Sequence, residues 1–283
     1  MKFAVLSDIH GNYPALETVT EHIEAWGADF VFVAGDIVNR GPRSHDCMRF
    51  LQQKKQIKGW QIIRGNHEEY VISRADPKDP KDGPMYELFQ PVHYTYQQFG
   101  YDVGNLEKLP TQISKTSAEF GEVRMVHASM RSDRDGIYPE TRDDELRQQI
   151  NPAPSVFITG HTHRPLVRNI NGSLIVNAGS AGLPFDGDTR PSYAQIIWRG
   201  GHWEAEIIRF RYDFDQAERD FYDTGYLEGA GPLAQLVLLE LKSAYSQLYQ
   251  WTQKYAEAVL KGTISVEEAT LEFLKKPILK SYW

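Results

Sequence analysis

Side chains that commonly bind metal ions recur at the ends of five short apolar runs in the sequence. Five of the nine histidines are placed in this way, with acidic or amide residues beside them. A single histidine in such a place is more often a hydrogen-bonded residue of the core or its rim, but the repetition favours one shared site. The residues at these ends are Asp8 and His10, Asp36, Asn66 and His67, His127, and His161 and His163.

The donor types limit the chemistry of such a site. Imidazole and carboxylate donors without a thiolate favour Mn²⁺, Fe, Zn²⁺, Co²⁺ or Ni²⁺ over a soft metal. Alternate residues of an extended segment project to the same side, so Asp8 with His10, or His161 with His163, would hold one ion or two neighbouring ions. Two ions bridged by an aspartate can hold a nucleophilic hydroxide and clamp a phosphoryl group.

The segments that carry these residues alternate between strand-like and helix-like patterns. Runs rich in Val, Ile and Phe, such as residues 2–8, 29–36 and 60–66, predict strands buried between layers of helices. Residues 13–28 and 43–56 have apolar positions at helical spacing. Because α/β sheets bind ligands at the carboxyl ends of their strands, we expect the candidate residues to meet at one rim of an α/β sandwich.

The pattern changes in two later parts of the chain. Residues 76–100 contain four prolines and a tyrosine cluster, which predict an insertion made of a loop followed by short helices. After about residue 212 a long helical pattern keeps one face apolar up to Gly262, and Ser265–Glu268 has capping-box spacing for a last helix through Leu274. We therefore predict a catalytic domain over residues 1–212 and an α-helical C-terminal extension over 213–283.

Composition excludes several classes of partner. A formal charge of −7, from 31 basic and 38 acidic residues, offers no global positive field for a long nucleic acid, whereas small phosphorylated molecules remain suitable ligands. The single cysteine, Cys47, cannot form an internal disulfide and is expected to be a buried packing residue. No apolar run approaches the roughly 20 residues of a membrane helix, and no signal peptide is recognisable. We expect a cytoplasmic protein with no membrane partner.

The order of the motifs resembles that of the calcineurin-like metallophosphoesterases. Their blocks are present as DIH at 8–10, GDIVNRG at 35–41, GNHE at 65–68, VHAS at 126–129 and GHTH at 160–163. One tripeptide would arise by chance, but five blocks in order at predicted strand ends are a strong signal. The resemblance covers roughly residues 1–212. It implies a four-layer αββα sandwich, with two mixed β-sheets flanked by helices.

The resemblance also implies a binuclear centre of two divalent transition metal ions, with Mn²⁺ as the first expectation. One ion would be held by Asp8, His10 and His163, the other by Asn66, His127 and His161, with Asp36 bridging both. His67 would not be a ligand but would act as general acid, protonating the leaving group.

Two arginines resemble those of a subset of the family. Arg40 and Arg64 match arginines that hold phosphate oxygens in protein serine/threonine phosphatases and symmetric dinucleoside tetraphosphatases, and an ion pair is the alternative role for each. Asn39 stands where those relatives usually have Asp, so His67 is expected to lack a carboxylate partner from that turn. Residues 177–196 resemble instead the glycine-rich loop of the bacterial and archaeal phosphodiesterase branch.

These observations lead to one main functional hypothesis and two alternatives. The main hypothesis is a phosphoesterase in which a metal-bridging hydroxide attacks a phosphodiester, nucleotide or dinucleoside polyphosphate, with His67 as general acid. The alternatives are a phosphomonoesterase, including protein serine/threonine phosphatase-like activity, and a non-catalytic scaffold of the same fold. The aromatic residues of the C-terminal helices would form a lid over a small nucleotide-like substrate, or pack on the core or on a second copy in a homo-oligomer.

Overall fold

The computed structural model describes residues 1–278 and Lys280, and these residues form ten strands and twelve α-helices. The strands are β1 Lys2–Leu6, β2 Phe30–Val33, β3 Gln61–Ile62, β4 Gln112–Ser117, β5 Gly121–Val126, β6 Val156–Thr159, β7 Leu166–Ile170, β8 Ser173–Asn177, β9 Ser192–Arg199 and β10 His202–Arg209. The helices are α1 Tyr13–Trp26, α2 Ser44–Lys58, α3 Asn66–Ile72, α4 Gly83–Leu88, α5 Gln90–Gln98, α6 Gly104–Glu107, α7 Asp143–Gln149, α8 Phe214–Asp223, α9 Tyr226–Gly229, α10 Ala234–Ser243, α11 Gln247–Leu260 and α12 Val266–Leu274.

The strands form two mixed five-stranded sheets, in the orders β10-β9-β1-β2-β3 and β4-β5-β6-β8-β7. Strands β1, β2 and β3 of the first sheet and β5, β6 and β8 of the second run parallel. Strands β9 and β10 at one end of the first sheet, and the edge strands β4 and β7 of the second, pair antiparallel with their neighbours. The predicted sandwich of two mixed sheets flanked by helices is confirmed. Its parallel strands direct their carboxyl ends to one rim, where the candidate residues follow.

Three apolar layers hold the sandwich together. Between the sheets, Phe3 and Phe32 of the first sheet pack with Met125 and Ile158 of the second. On the outer face of the first sheet lie α1 and α2, where the free cysteine Cys47 is fully buried, as expected for a packing thiol. On the outer face of the second sheet α7 packs on β6 and β8. Strands such as β6 and β8 are buried along their full length, which explains their apolar runs VFI and LIV.

Two strands were not predicted because their sequences lack an apolar run. Strand β4 reads QISKTS and alternates between exposed and half-buried residues at one edge of the second sheet. Strand β7 reads LVRNI and forms the opposite edge. An edge strand is stabilised by hydrogen bonds to one neighbour and needs less apolar surface, so its sequence pattern is weak.

The helical pattern of the C-terminal segment is divided in the structure. The apolar stripe up to Gly262 belongs to two helices, α10 and α11, because Ala244 adopts a left-handed conformation with φ of 54° and ends α10. The Glu240 carboxylate then accepts hydrogen bonds from the backbone N–H groups of Gln247 and Leu248, which stabilises the start of α11. The prediction of α12 is confirmed, with Ser265 forming a complete capping box with Glu268.

The C-terminal helices pack on the sandwich and on one another. Helices α8 and α10 contact Leu183 and Phe185 of the glycine-rich loop, and α11 packs against α12 through Trp251 and Phe273. Because Trp251 is fully buried, the aromatic stripe that suggested a homo-oligomer is largely covered within the chain. The domain boundary at residue 212 and the homo-oligomer stay predictions. None of the helices in the described residues has the length and apolar character needed to span a bilayer.

Candidate metal centre

The candidate ligands lie in the turns that follow β1, β2, β3, β5 and β6. These turns are conformationally unusual. Among the described residues, ten that are not glycine have positive φ, and seven of them belong to this region. Such left-handed conformations are costly for side-chain-bearing residues and concentrate at functional sites. The seven are Asp8, His10, Asp36, Asn39, Arg40, His161 and His163.

The first group of donors combines residues from both halves of the chain. One donor atom each from Asp8, His10, Asp36 and His163 can be chosen so that all lie within 4.8 Å of one another. The Nδ1 atoms of His10 and His163 face the backbone carbonyl oxygens of Asn39 and Leu183. Because a carbonyl oxygen only accepts hydrogen bonds, each Nδ1 carries the hydrogen of a neutral ring.

The Nε2 atoms of His10 and His163 are arranged as in a cation-binding site. With Nδ1 protonated, the Nε2 atoms of His10 and His163 present lone pairs, and they face each other at 3.1 Å. Burial lowers the pKa of His10 to about 3 and holds that of His163 well below its usual range, so neither ring supplies a second proton near neutral pH. Two converging lone pairs repel unless a cation lies between them, which is the arrangement of metal-binding imidazoles.

The second group of donors shares Asp36 with the first. Asp36, His127 and His161 have donor atoms within 4.8 Å of one another. The Oδ1 atom of Asn66 lies 3.0 Å from Nε2 of His127 and 2.9 Å from Nδ1 of His161. His127 donates from Nδ1 to the carbonyl oxygen of Ala34 at 2.7 Å, which leaves its Nε2 directed at the group.

The pKa values of the buried carboxylates and of His127 show which proton a bound cation would displace. Burial raises the pKa of Asp8 to about 8. Burial also opposes the ionisation of Asp36 and of His127, but their mutual attraction prevails: it holds the pKa of Asp36 well below its usual range and raises that of His127 to about 10. A proton on His127 therefore compensates the buried carboxylate, and a bound metal ion would displace that proton.

The structure brings together all seven residues expected to bind metal, in the two groups that the resemblance implied. Their N and O donors fit hard or borderline divalent cations. Their individual roles as ligands stay predictions. The extended conformation expected for Asp8 with His10 and for His161 with His163 was wrong, because all four residues have positive φ. The placement of His161 and His163 in two neighbouring groups agrees with the expectation of one ion or two neighbouring ions. Left-handed turns, rather than alternation along a strand, direct these side chains.

Comparison with known proteins agrees with the fold and the donor groups. The profile of the calcineurin-like phosphoesterase superfamily domain matches residues 1–198. The chain belongs to this superfamily. Its phosphoesterases depend on metal ions, and the two donor groups could hold them. Membership and site together indicate hydrolase activity.

Individual relatives cover different parts of the chain. An uncharacterized protein of Methanocaldococcus jannaschii is 26% identical over 232 residues, which are 76% of this chain and 89% of that protein. A symmetrical bis(5'-nucleosyl)-tetraphosphatase of Enterobacter is 33% identical over 86 residues, 28% of this chain and 30% of that enzyme. The crystal structure of a metallophosphoesterase from Sphaerobacter thermophilus has a TM-score of 0.66 at 23% identity, covering 86% of this chain and all of that one, and shows the shared fold.

His67 lies beside the metal-ligand groups, in the first turn of α3. Its backbone N–H donates to Oδ1 of Asp36 at 2.9 Å, and its ring lies 4.7 Å from the ring of His10. Nδ1 of His67 is 2.8 Å from the side-chain amide of Asn39. The partner is therefore a neutral amide, as expected from the Asn at this position. Asn39 fixes the ring, so that Nε2 is the atom available to the cleft.

The two arginines point to different openings. Arg40 lines a cleft of about 740 Å³ that begins at the metal centre, and its Nη1 lies 3.0 Å from the buried carboxylate of Glu240 in α10. Arg64 lines a separate groove of about 190 Å³, where its Nε lies 2.6 Å from Glu69. Both arginines thus form the ion pairs weighed as the alternative role, and phosphate binding by either stays a prediction.

Glu240 links the C-terminal helices to the catalytic turn, and we expect this link to be measurable. Its carboxylate is fully buried, and removing one partner of a buried pair leaves an unpaired charge. In a double-mutant cycle, Glu240→Gln and Arg40→Met should show a coupling free energy of about 1–3 kcal/mol in urea unfolding. Gln at this position can still accept from the N–H groups at the start of α11. Additive effects of the two substitutions would show that the pair is energetically unimportant.

Glu68 is a residue of the site that sequence reasoning did not assign. It is fully buried, and its carboxylate accepts hydrogen bonds from the N–H groups of Asp36, Ile37, Val38 and Gly65 at 2.7–3.1 Å. It thereby ties the turn after β2 to the turn after β3. The signal available in the sequence was an acidic residue inside the GNHE block.

Gly65 cannot be replaced by a larger residue without a shift of its neighbours, since a Cβ there would lie 2.3 Å from Oδ1 of Asp36.

Proposed function

We propose that the protein is a binuclear metal-dependent phosphoesterase that hydrolyses small phosphodiester or nucleotide-like substrates. The observation that carries the proposal is the sharing of Asp36 by two donor groups at the head of a cleft, with His67 beside them. Two divalent ions bound there would activate a water molecule and hold the phosphoryl oxygens. We expect Mn²⁺ to serve, with Fe, Zn²⁺, Co²⁺ or Ni²⁺ as alternatives.

The protein's own groups have distinct roles in this proposal. Asp36 provides a negative charge that both donor groups share. The neutral imidazoles provide the nitrogen donors of the two groups. His67 donates a proton from Nε2 to the oxygen of the departing alcohol, because among the described residues that line the cleft it is the imidazole that belongs to neither donor group. Arg40 lies on the same cleft, where its guanidinium supports a phosphoryl oxygen.

The shape of the cleft favours small substrates over a phosphorylated protein. Helices α4 and α5 cover one side, and α10 and α11 cover the other. The C-terminal helices therefore line the space above the metal centre, in the lid position considered from the sequence. A phosphomonoesterase remains the second candidate, supported by His67, the residue that monoester cleavage needs most.

Turnover of three substrates tests the proposal directly. Chelated protein should be inactive, and added Mn²⁺ should restore hydrolysis of bis-p-nitrophenyl phosphate, with p-nitrophenyl phosphate and a dinucleoside tetraphosphate measured in parallel. Faster diester or dinucleotide cleavage supports the proposal, whereas predominant monoester cleavage favours the second candidate. Absence of turnover with every divalent metal, together with no bound metal, would point to the non-catalytic scaffold.

A further inference from the structure

The cleft continues beyond the metal centre into a space with largely apolar walls, which we call the apolar chamber. Its mouth is formed by His67, His161 and His163. Most of its apolar wall residues come from two parts of the chain that contribute no candidate ligands, the α4–α5 segment and the C-terminal helices. They are Met85, Phe89, Val237, Leu248 and Leu260, and Phe185 of the glycine-rich loop joins them.

Aromatic rings extend the apolar surface of the chamber as far as the side chains of His67 and His163. The ring of Tyr70 lies 5.3 Å from that of His67, and the ring of Phe89 lies 6.4 Å from that of Tyr70. On the other side Phe185 stacks on His163, with ring centroids 4.2 Å apart. A group leaving from the side of His67 therefore enters a space bordered by apolar rings.

The charges of the chamber argue against a polyphosphate in this position. Among the described residues that line it there is no lysine, and there are two arginines. Arg40, which lies 3.0 Å from Glu240, already serves the phosphoryl group at the metal centre, and Arg134 lies 2.9 Å from Asp133. Further phosphate groups placed beyond the metal centre would lose water without gaining an additional unpaired cation, which is unfavourable.

We propose that the apolar chamber binds the alcohol portion of the substrate, and that this portion is uncharged and apolar. The proposal rests on the proposed phosphoesterase function and narrows its substrates to esters of hydrophobic alcohols or phenols. In the reaction a water oxygen forms a bond to phosphorus and that water loses a proton to solvent. The bond from phosphorus to the alcohol oxygen breaks, His67 supplies a proton to that oxygen, and solvent then returns a proton to His67. The apolar body of the alcohol stays in the chamber until the product leaves.

A series of methyl 4-alkylphenyl phosphates isolates this interaction. Lengthening the para-alkyl chain from hydrogen to pentyl adds apolar surface while leaving the acidity of the phenol nearly unchanged. If the chain enters the chamber, kcat/KM should rise about two- to fourfold for each methylene. A dinucleoside tetraphosphate should be a poorer substrate than the pentyl ester. A flat dependence on chain length in an active enzyme would overturn the proposal.

Two leucines of equal exposure provide a matched pair of variants. Leu260 and Leu271 are each 48% exposed, but of the two only Leu260 lines the chamber. Leu260→Gln, alone or with Met85→Gln, should flatten the rise of kcat/KM with alkyl chain length. Leu271→Gln should behave as the wild type. Equal effects of Leu260→Gln and Leu271→Gln would count against the chamber.

Binding of the free 4-alkylphenols separates this inference from the proposed function. Titration calorimetry should show affinity that increases with chain length, and this measurement does not depend on turnover. Increasing affinity without hydrolysis of any ester would contradict the phosphoesterase and support the chamber. Hydrolysis without any chain-length dependence in kcat/KM or in binding would retain the phosphoesterase and overturn the chamber.

Discussion

Replacing Asp36 by Asn should lower kcat by on the order of 10³-fold or more and reduce the bound metal below two ions per chain. Asp36 is the carboxylate that both donor groups share, and it is 1% exposed. An amide at this position keeps an oxygen that can accept from the backbone N–H of His67. It removes the negative charge that would hold two cations together. The effect should therefore fall on metal binding and turnover more than on folding.

The measurement combines metal analysis of the purified variant with Mn²⁺-dependent turnover of bis-p-nitrophenyl phosphate. Asp223→Asn is a suitable control, because Asp223 is exposed at the end of α8 and belongs to neither donor group. It should retain wild-type turnover and metal content. An Asp36→Asn protein with two bound metals and wild-type kcat would exclude the shared carboxylate from the reaction.

Replacing His67 by Gln should lower kcat by about 10²–10⁴-fold for esters whose alcohol needs a proton to depart. The side chain lies beside the donor groups and lines the cleft. The substitution retains the backbone N–H that donates to Asp36. Metal content should therefore remain unchanged. For p-nitrophenyl esters the loss should be much smaller, because p-nitrophenolate departs without protonation.

The comparison of methyl phenyl phosphate with methyl p-nitrophenyl phosphate measures this difference within one variant. His202→Gln serves as control, since the His202 side chain is 63% exposed in the hairpin of β9 and β10. A proportional loss for both esters in His67→Gln would indicate a role in positioning rather than in proton transfer. Loss of metal would indicate that His67 supports the ligands instead.

Several features of the site could be predicted because they are local in the sequence. A strand buried on both faces requires an uninterrupted apolar run, and a polar residue directly after such a run must lie at the rim of the sheet. Asp8, Asp36 and His127 were located in this way. Helix α12 was predicted for a similar reason, because its capping box lies within four consecutive residues.

Other features depend on contacts between distant parts of the chain. Arg40 and Glu240 are 200 residues apart in sequence, and nothing near either residue identifies the partner. The break between α10 and α11 occurs without Gly or Pro, and it is stabilised by the same Glu240 carboxylate. Strands β4 and β7 lie at sheet edges, where pairing with a neighbour replaces an apolar pattern.

The sequence by itself determined the set of donor residues, the sandwich fold and the superfamily. These features depend on apolar patterns and short motifs formed by consecutive residues. The family resemblance implied how the donors divide into two groups, but only the tertiary structure showed the backbone conformations that bring each group together. Left-handed turns at Asp8, His10, His161 and His163 set the directions of the side chains, and those conformations are maintained by surrounding packing. The apolar chamber likewise arises only when α4–α5 and α10–α11 meet above the metal centre, since neither segment encloses a cavity alone.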